Sequence, residues 1–220
     1  MQWLPPFDDN SASVVYEAGS SISTHRFSPD MNVLFISERP GGAGGGFARG
    51  GRGAGGGTAR EYAVFLDDSE TTHTLVEYDS GDFYANPGSL VMTGGAVAGG
   101  GRRRRGGGGG GSEATVQISS DGDHVFFAGT QYDENPLDEA PKSFLDRIEI
   151  RTGEKERVYE SDNDGSWERI SSILDIDAGR FVVSHETPTE IAQSFLMDDG
   201  RRTQLTENVD YTPDITAAPR

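Results

Sequence analysis

Short apolar runs alternate along most of this chain with turns that are rich in Asp, Gly and Pro. Apolar residues do not recur with the 3.6-residue period of a helix over any long stretch. The runs are instead rich in Val, Ile, Phe, Leu and Tyr, which is typical of β-strands. The pattern predicts an all-β protein.

One pattern occurs three times along the chain. Each copy has an apolar residue, then a polar turn centred on an aspartate, then an apolar run that suits a buried strand. Gly or Asn beside the aspartate tolerates a left-handed turn conformation. The copies align without gaps on Asp30, Asp121 and Asp177, over residues 27–36, 118–127 and 174–183.

Each copy precedes two strand-like segments that are joined by a turn, which predicts an outer hairpin. These hairpins cover residues 62–78, 144–159 and 194–206. A buried strand and a hairpin that repeat about every 40–45 residues are typical of the four-stranded blades of a β-propeller. We therefore predict a partial β-propeller of about three to four four-stranded blades, with repeat units at 25–79, 116–160 and 168–208. A generic antiparallel β-sandwich is the alternative.

A further short apolar run lies at Ser13–Glu17, before the first unit. It has the pattern of the last strand of an earlier blade. Because propellers close with four to eight blades, the sequence predicts that residues 1–220 form part of a larger ring.

Two segments, 41–58 and 94–111, contain most of the 31 glycines of the chain. They offer almost no side chains to a core, so we expect flexible, disordered loop inserts. Phe47–Ala54 resembles an Arg-Gly-Gly box that binds RNA, and Arg102–Arg105 is a compact cationic run. We favour simple expansion of flexible loops between strands over RNA binding as the explanation of these segments. Docking on the acidic remainder of the chain or on an acidic partner is also open.

The chain has a formal net charge of −17, and the Gly-rich segments themselves carry several arginines and no acid. The remainder is therefore still more acidic, which disfavours a nucleic-acid interface. The absence of cysteine excludes disulfides, Cys-ligated zinc and thiol catalysis. No run of 18 apolar residues and no signal-peptide pattern occurs, so we expect no membrane partner, while the compartment is left open.

Four stretches stand out in the sequence: Asp82–Met92, Asp121–Gly129, Ser143–Arg157 and Ser184–Glu190, of which the last two are less generic than the repeated turns. All four resemble the propeller of prolyl-oligopeptidase-family serine peptidases, in particular the glutamyl-endopeptidase-like branch. Outside the Gly-rich segments the resemblance covers most of residues 60–212. It implies a propeller over an α/β-hydrolase domain that carries a Ser-Asp-His triad. The same resemblance implies that the propeller restricts the enzyme to peptide-sized substrates.

The catalytic half of that family is absent from this chain. A nucleophile elbow requires Gly-x-Ser-x-Gly between a strand and a helix, and no such pentad occurs. We therefore expect no catalytic residue in the chain. The resemblance implies the hydrolase domain of the same protein and peptide substrates as partners.

Other candidate chemistry in the sequence is weak. His25, His73, His124 and His185 lie far apart, and none has a second His at metal-ligand spacing. Asp162–Glu168 is similar to a calcium loop but lacks one ligand, so a solvated turn is favoured. Asp133–Glu139 is an acidic connection that could line a pore or an interface. We expect no metal and no cofactor.

The leading function is the non-catalytic propeller of a serine peptidase, which gates peptide substrates and supports the hydrolase domain. A free-standing propeller that binds a protein or peptide is the second hypothesis. An Arg-Gly-rich nucleic-acid binder is the third.

Overall fold

The computed structural model describes residues 2–3, 12–40, 57–94, 114–135 and 139–211. Every regular element in these ranges is a β-strand, which confirms the predicted all-β class. None of these residues belongs to a helix long and apolar enough to cross a membrane. Most of the two Gly-rich segments, 41–58 and 94–111, lies outside the described residues, so their predicted disorder stays a prediction.

The chain divides into two compact units. Unit 1 consists of Met1–Asn86 and Glu149–Glu154, and unit 2 of Pro87–Ile148 and Lys155–Arg220. In unit 1, a two-stranded antiparallel sheet pairs β1 (Gln2–Trp3) with β2 (Ala12–Ser13). A four-stranded antiparallel sheet follows in the order of the sequence: β3 (Ser21–Phe27), β4 (Val33–Arg39), β5 (Thr58–Phe65) and β6 (Asp68–Asp79).

Unit 2 contains two more four-stranded antiparallel sheets, and in both the strands are neighbours in the order of the sequence. The first is β7 (Ser89–Leu90), β8 (His124–Gln131), β9 (Lys142–Glu149) and β10 (Lys155–Glu160). The second is β11 (Trp167–Asp175), β12 (Arg180–Glu186), β13 (Gln193–Asp198) and β14 (Arg201–Gln204). The short strand β7 lies before the second Gly-rich segment. Just after β7, Met92 pairs with Val116, which follows that segment in the sequence.

The aspartate turn of the first repeat is held by a serine two residues earlier. The Ser28 hydroxyl donates to Asp30 and accepts the Val33 N–H at 3.0 Å, and Ser28 is fully buried. The Asn32 N–H donates to the same carboxylate at 3.2 Å. The hydrogen bond from Ser28 is the main cause that holds the pKa of Asp30 below its usual range.

The second repeat builds the same turn. The Ser119 hydroxyl donates to Asp121 and accepts the His124 N–H at 2.9 Å. The Asp123 N–H donates to Asp121 at 3.0 Å. The predicted role of the aspartate is therefore correct for Asp30 and Asp121.

The predicted role is wrong for the third aspartate, Asp177. Its carboxylate accepts the N–H of Ser120 at 3.0 and 3.1 Å, and so caps the turn of the preceding sheet in unit 2. Within the third turn the acceptor is Asp175, which takes the Ala178 N–H at 3.0 Å. The position that is serine in the first two turns is an aspartate here, so it accepts the backbone hydrogen bond itself.

The first two turns differ in the residue that adopts the left-handed conformation. This residue is Met31 in the first turn, with φ of 61°, and Gly122 in the second, with φ of 82°. Met31 is 56% exposed, so its side chain gains little from packing. We expect Met31→Gly to stabilise the chain by about 1 kcal/mol, because a Cβ is unfavourable at positive φ.

The matched control is Gly122→Ala, which should lose about 1 kcal/mol, although a Cβ there has open space around it. Urea denaturation of both variants measures the two effects. A destabilised Met31→Gly variant would show that the left-handed conformation is not what limits this turn.

Each unit contains a cluster of buried apolar residues. In unit 2, one cluster joins sheets β7–β10 and β11–β14 through Val91, Phe126, Ala128, Leu145, Ile173, Ile176, Phe181 and Val183. In unit 1 the corresponding cluster is smaller and contains Val15, Leu34, Ile36 and Val64. The unit 2 cluster thus lies between two antiparallel sheets, as expected for sheets that pack face to face.

The pKa values of two glutamates on neighbouring strands of unit 1 are shifted in opposite directions. Glu38 is buried, yet hydrogen bonds from Tyr16, Ser20 and the Gly19 N–H outweigh burial and hold its pKa below the ordinary value. Burial raises the pKa of Glu61 above the ordinary value, despite a hydrogen bond from Ser37.

These shifts predict opposite pH effects of two matched substitutions. The stability from Glu38 is present above its ordinary pKa of 4.5 and is lost as pH falls through the lowered native pKa. The stability from Glu61 is present below pH 4.5 and is lost as pH rises through the raised native pKa. At pH 7, Glu38→Gln should therefore destabilise the chain and Glu61→Gln should stabilise it.

Urea denaturation between pH 3 and pH 8 tests this pair of substitutions. The difference in free energy of unfolding between each variant and the wild type should shrink towards acid pH, where the carboxyl groups are protonated in the folded and unfolded states. Effects of the same sign at pH 7 would contradict the assignment.

Candidate ligand pocket in unit 2

Three connections between strands meet at one end of unit 2. They are the segments between β8 and β9, between β10 and β11, and between β12 and β13. Together they line a pocket of about 550 Å³. Its lining residues are Ala140, Asn163, Gly165, Ser166, Trp167, Glu186, Thr187, Pro188, Glu190 and Ile191. The structure thus brings together the supposed calcium loop and the Ser184–Glu190 stretch.

Asn163 holds the connection between β10 and β11 in place. It is buried, its amide donates to the carbonyl of Pro141, and its amide oxygen accepts the Glu168 N–H at 3.0 Å. The oxygen that the calcium-loop pattern offers as a cation ligand is therefore already engaged by the backbone. Among the described residues, no group of three or more His, Asp or Glu side chains is placed to hold a metal ion.

Next to the pocket residue Trp167 on β11 is a buried carboxylate, Glu168, whose side chain is 7% exposed. Arg202 lies 2.8 Å from it and the Nδ1 atom of His185 lies 3.0 Å from it. Tyr159 donates its hydroxyl to the same carboxylate, and burial together with this hydrogen bond raises the pKa of Tyr159. Arg202 also stacks on Phe195 at 4.0 Å from the ring centroid. The network fixes strands β10, β11, β12 and β14 around one charge.

The pocket itself offers three kinds of recognition group. Trp167 contributes an indole, Ser166 a hydroxyl that also donates to the carbonyl of Asp162 at 3.3 Å, and Glu186 and Glu190 two carboxylates. Within the described part of the chain, no basic side chain lies within ion-pair distance of either carboxylate. An aromatic face beside carboxylates and hydroxyls can bind a polar, extended ligand such as a peptide segment.

The four histidines remain apart, and each has a local environment. His73 contacts the carbonyl of Arg151 through Nδ1 at 2.9 Å, and its buried Nε2 has no hydrogen-bond partner in the described structure. His124 lies 3.6 Å from Asp121, beside its own turn. His185 belongs to the Glu168 network, and His25 lines an apolar groove of unit 1.

The acidic connection Asp133–Glu139 is described only in part, because residues 136–138 lie outside the described ranges. Asp133 accepts the Asn135 N–H at 2.8 Å, which is a local turn contact. The prediction that this connection lines a pore or an interface stays untested.

No protein-family model matches the chain, and no curated protein matches it. Among solved structures, it is similar to an acylaminoacyl peptidase in complex with Z-Gly-Gly-Phe-chloromethyl ketone, with 15% identity, a TM-score of 0.41 and coverage of 86% of this chain. It is also similar to the acylaminoacyl peptidase of Pyrococcus horikoshii, with 13% identity, a TM-score of 0.40 and coverage of 84%. The chain spans a quarter of the length of each of these proteins.

Proposed function

We propose that residues 1–220 form consecutive blades of a β-propeller that is the non-catalytic part of a serine peptidase. The observation that carries the propeller is the succession of three four-stranded antiparallel sheets, each ordered as in the sequence. Propeller blades are sheets of this kind repeated around an axis. The shared serine-aspartate turn, which precedes the second strand in the first two sheets, supports a common repeat.

The peptidase assignment is supported by the four stretches that resemble the prolyl-oligopeptidase family. One of them, Ser184–Glu190, lines the unit 2 pocket together with Trp167 and Ser166. In this proposal the blades admit peptides to a hydrolase domain elsewhere in the same protein and support that domain. The pocket is a place where a peptide can bind before it is cleaved.

The pocket also favours a second function, a propeller that binds a peptide or protein without cleaving it. An indole, a hydroxyl and two carboxylates around about 550 Å³ do not require a hydrolase partner. The two functions differ in whether an activated serine belongs to the same polypeptide.

A fluorophosphonate probe, which reacts with the activated serine of serine hydrolases, tests the proposed function. Antibodies raised against the 220-residue chain identify the natural protein in extracts of the cells that produce it. We expect an antibody-reactive polypeptide that is larger than 23.6 kDa and that carries the probe. The purified chain should remain unlabelled and should not hydrolyse Glu-containing peptides, since it lacks Gly-x-Ser-x-Gly.

An antibody-reactive protein that is not labelled, while other serine hydrolases in the same extract are, would contradict the peptidase and favour the binding propeller. Labelling of the purified chain itself would contradict the view that it is non-catalytic.

A further inference from the structure

One face of sheet β3–β6 has a counterpart in sheet β11–β14. Both faces use residues that stand in the same pairing register on the first three strands, although β11 has a register shift between Ile170 and Ser172. In sheet β11–β14 these residues are Ile170, Ile173, Phe181, Val183, Phe195 and Met197. In sheet β3–β6 the residues in the same register are His25, Phe27, Leu34, Ile36, Tyr62 and Val64. Leu34 thus corresponds to Phe181, and Ile36 to Val183.

In unit 2 this face is covered by the sheet that precedes it in the sequence. The side chains of the preceding sheet that contact it are Val91, Phe126, Ala128 and Leu145. Beneath them Phe181 is 5% exposed and Val183 is fully buried. The cover comes mainly from β8 and from Val91, which continues β7.

In unit 1 the corresponding face is covered only in part. Val15 and Tyr16, which follow β2, pack on Leu34 and Ile36. Beside them the described residues leave an apolar groove of about 390 Å³. Ile22 lies on the rim of this groove and is 48% exposed. An apolar groove of this kind marks a surface that another element covers.

The strands that precede this face are also incomplete. The pair β1–β2 stands directly before β3, as β9–β10 stands directly before β11. Among the described residues, each of the other three sheets has four strands, whereas β1–β2 has two. The two strands that this sheet lacks within the described part of the chain correspond to β7 and β8, which provide most of the cover in unit 2. The low strand number and the apolar groove therefore both indicate that the same two strands are needed here.

We propose that the groove receives two further β-strands of the same protein, from outside residues 1–220. These strands pair with β1–β2 to complete a fourth antiparallel sheet, and they direct apolar side chains at Leu34, Ile36 and Ile22. The inference rests on the proposed propeller and deepens it, but it does not depend on peptidase activity.

A single thiol at the rim tests this proposal, because the chain contains no cysteine. Ile22→Cys is placed in the 220-residue chain and in the full-length natural protein, and its rate of reaction with a maleimide is followed. The modified peptide is quantified by mass spectrometry, so other thiols of the full-length protein do not interfere. The control is Val158→Cys on β10, which is 42% exposed outside this groove.

We expect Ile22→Cys to react at least tenfold more slowly in the full-length protein than in the chain. Val158→Cys should react at similar rates in both. Equal rates for Ile22→Cys would overturn the proposal, as would a natural protein no longer than 220 residues. Slower reaction of Ile22→Cys in the isolated chain at higher protein concentration would also overturn the proposal, since a second copy of the chain would then occupy the groove.

This result is distinguishable from failure of the proposed function. A full-length protein that protects Ile22→Cys but does not react with the fluorophosphonate probe would support the fourth sheet and contradict the peptidase.

Discussion

Replacing Gly129 with alanine is expected to lower the free energy of unfolding by about 2–3 kcal/mol, because it inserts a methyl group where two backbones nearly touch. A Cβ at Gly129 would lie 2.8 Å from the Cα atom of Gly88 and 3.1 Å from the ring of Phe144. The first of these atoms is backbone, so it cannot move away as a flexible side chain could. Strand β8 would have to separate from the start of β7.

The control for this substitution is Gly19→Ala. A Cβ there would meet only a Glu38 oxygen at 3.9 Å, and Gly19 is not in the left-handed region. We expect this variant to be as stable as the wild type or slightly more stable, because alanine restricts the unfolded chain. Urea denaturation compares the two variants. A loss below about 0.5 kcal/mol for Gly129→Ala, the range of a neutral surface change, would show that β7 and β8 are not in close contact.

Replacing Glu168 with glutamine should cost about 2–3 kcal/mol. The substitution keeps the shape of the side chain but removes the charge that Arg202 and His185 face at 2.8 and 3.0 Å. Breaking a buried ion pair typically costs about 3–5 kcal/mol. Arg202 is 37% exposed, so solvent screening places the expected loss below that range.

Glu186→Gln is the matched control, since Glu186 is exposed on the neighbouring strand and lies opposite Trp167. Its effect on the free energy of unfolding should stay within about 0.5 kcal/mol. A double-mutant cycle of Glu168→Gln with Arg202→Gln should give strong coupling, because the second substitution loses most of its effect once the carboxylate is gone. Additive effects would contradict a shared network.

The all-β class could be predicted from the sequence because its signals are local. The Asp30 and Asp121 turns depend on residues within five positions of each other, and Ser28 and Ser119 stand two residues before each aspartate. The hairpins likewise join strands that are close in the sequence. Such short-range patterns survive in a single sequence without knowledge of the tertiary contacts.

Other features depend on distant contacts and could not be predicted. Asp177 looks like a third turn aspartate, yet its partner is Ser120, 57 residues away. Asn163 looks like a cation ligand, but Pro141 and Glu168 engage its amide in the folded chain. Strand β7 has two residues, which is too short for an alternating pattern to indicate a strand.

The pocket of unit 2 also could not be predicted as a site. Its walls come from three connections that the sequence separates, and only the fold places Trp167, Glu190 and Ile191 around one pocket. Two of those connections contain the sequence similar to a calcium loop and the Ser184–Glu190 stretch that resembles a peptidase family. Nothing in their sequences indicates that they share one pocket.

We propose that the three four-stranded sheets are blades arranged around one axis, and distances between spin labels test this proposal most directly. The absence of native cysteine allows pairs of labels to be placed freely. One doubly labelled variant carries Ser23→Cys on β3 and Ser171→Cys on β11, the first strands of their sheets. The other carries Thr72→Cys on β6 and Arg201→Cys on β14, the fourth strands. All four positions are exposed.

Double electron–electron resonance then gives the two distances. If the sheets radiate from an axis, the first strands lie closest to it, and the Ser23–Ser171 distance is clearly shorter than the Thr72–Arg201 distance. Equal distances, or a shorter distance between the fourth strands, would contradict the propeller and favour an antiparallel sandwich.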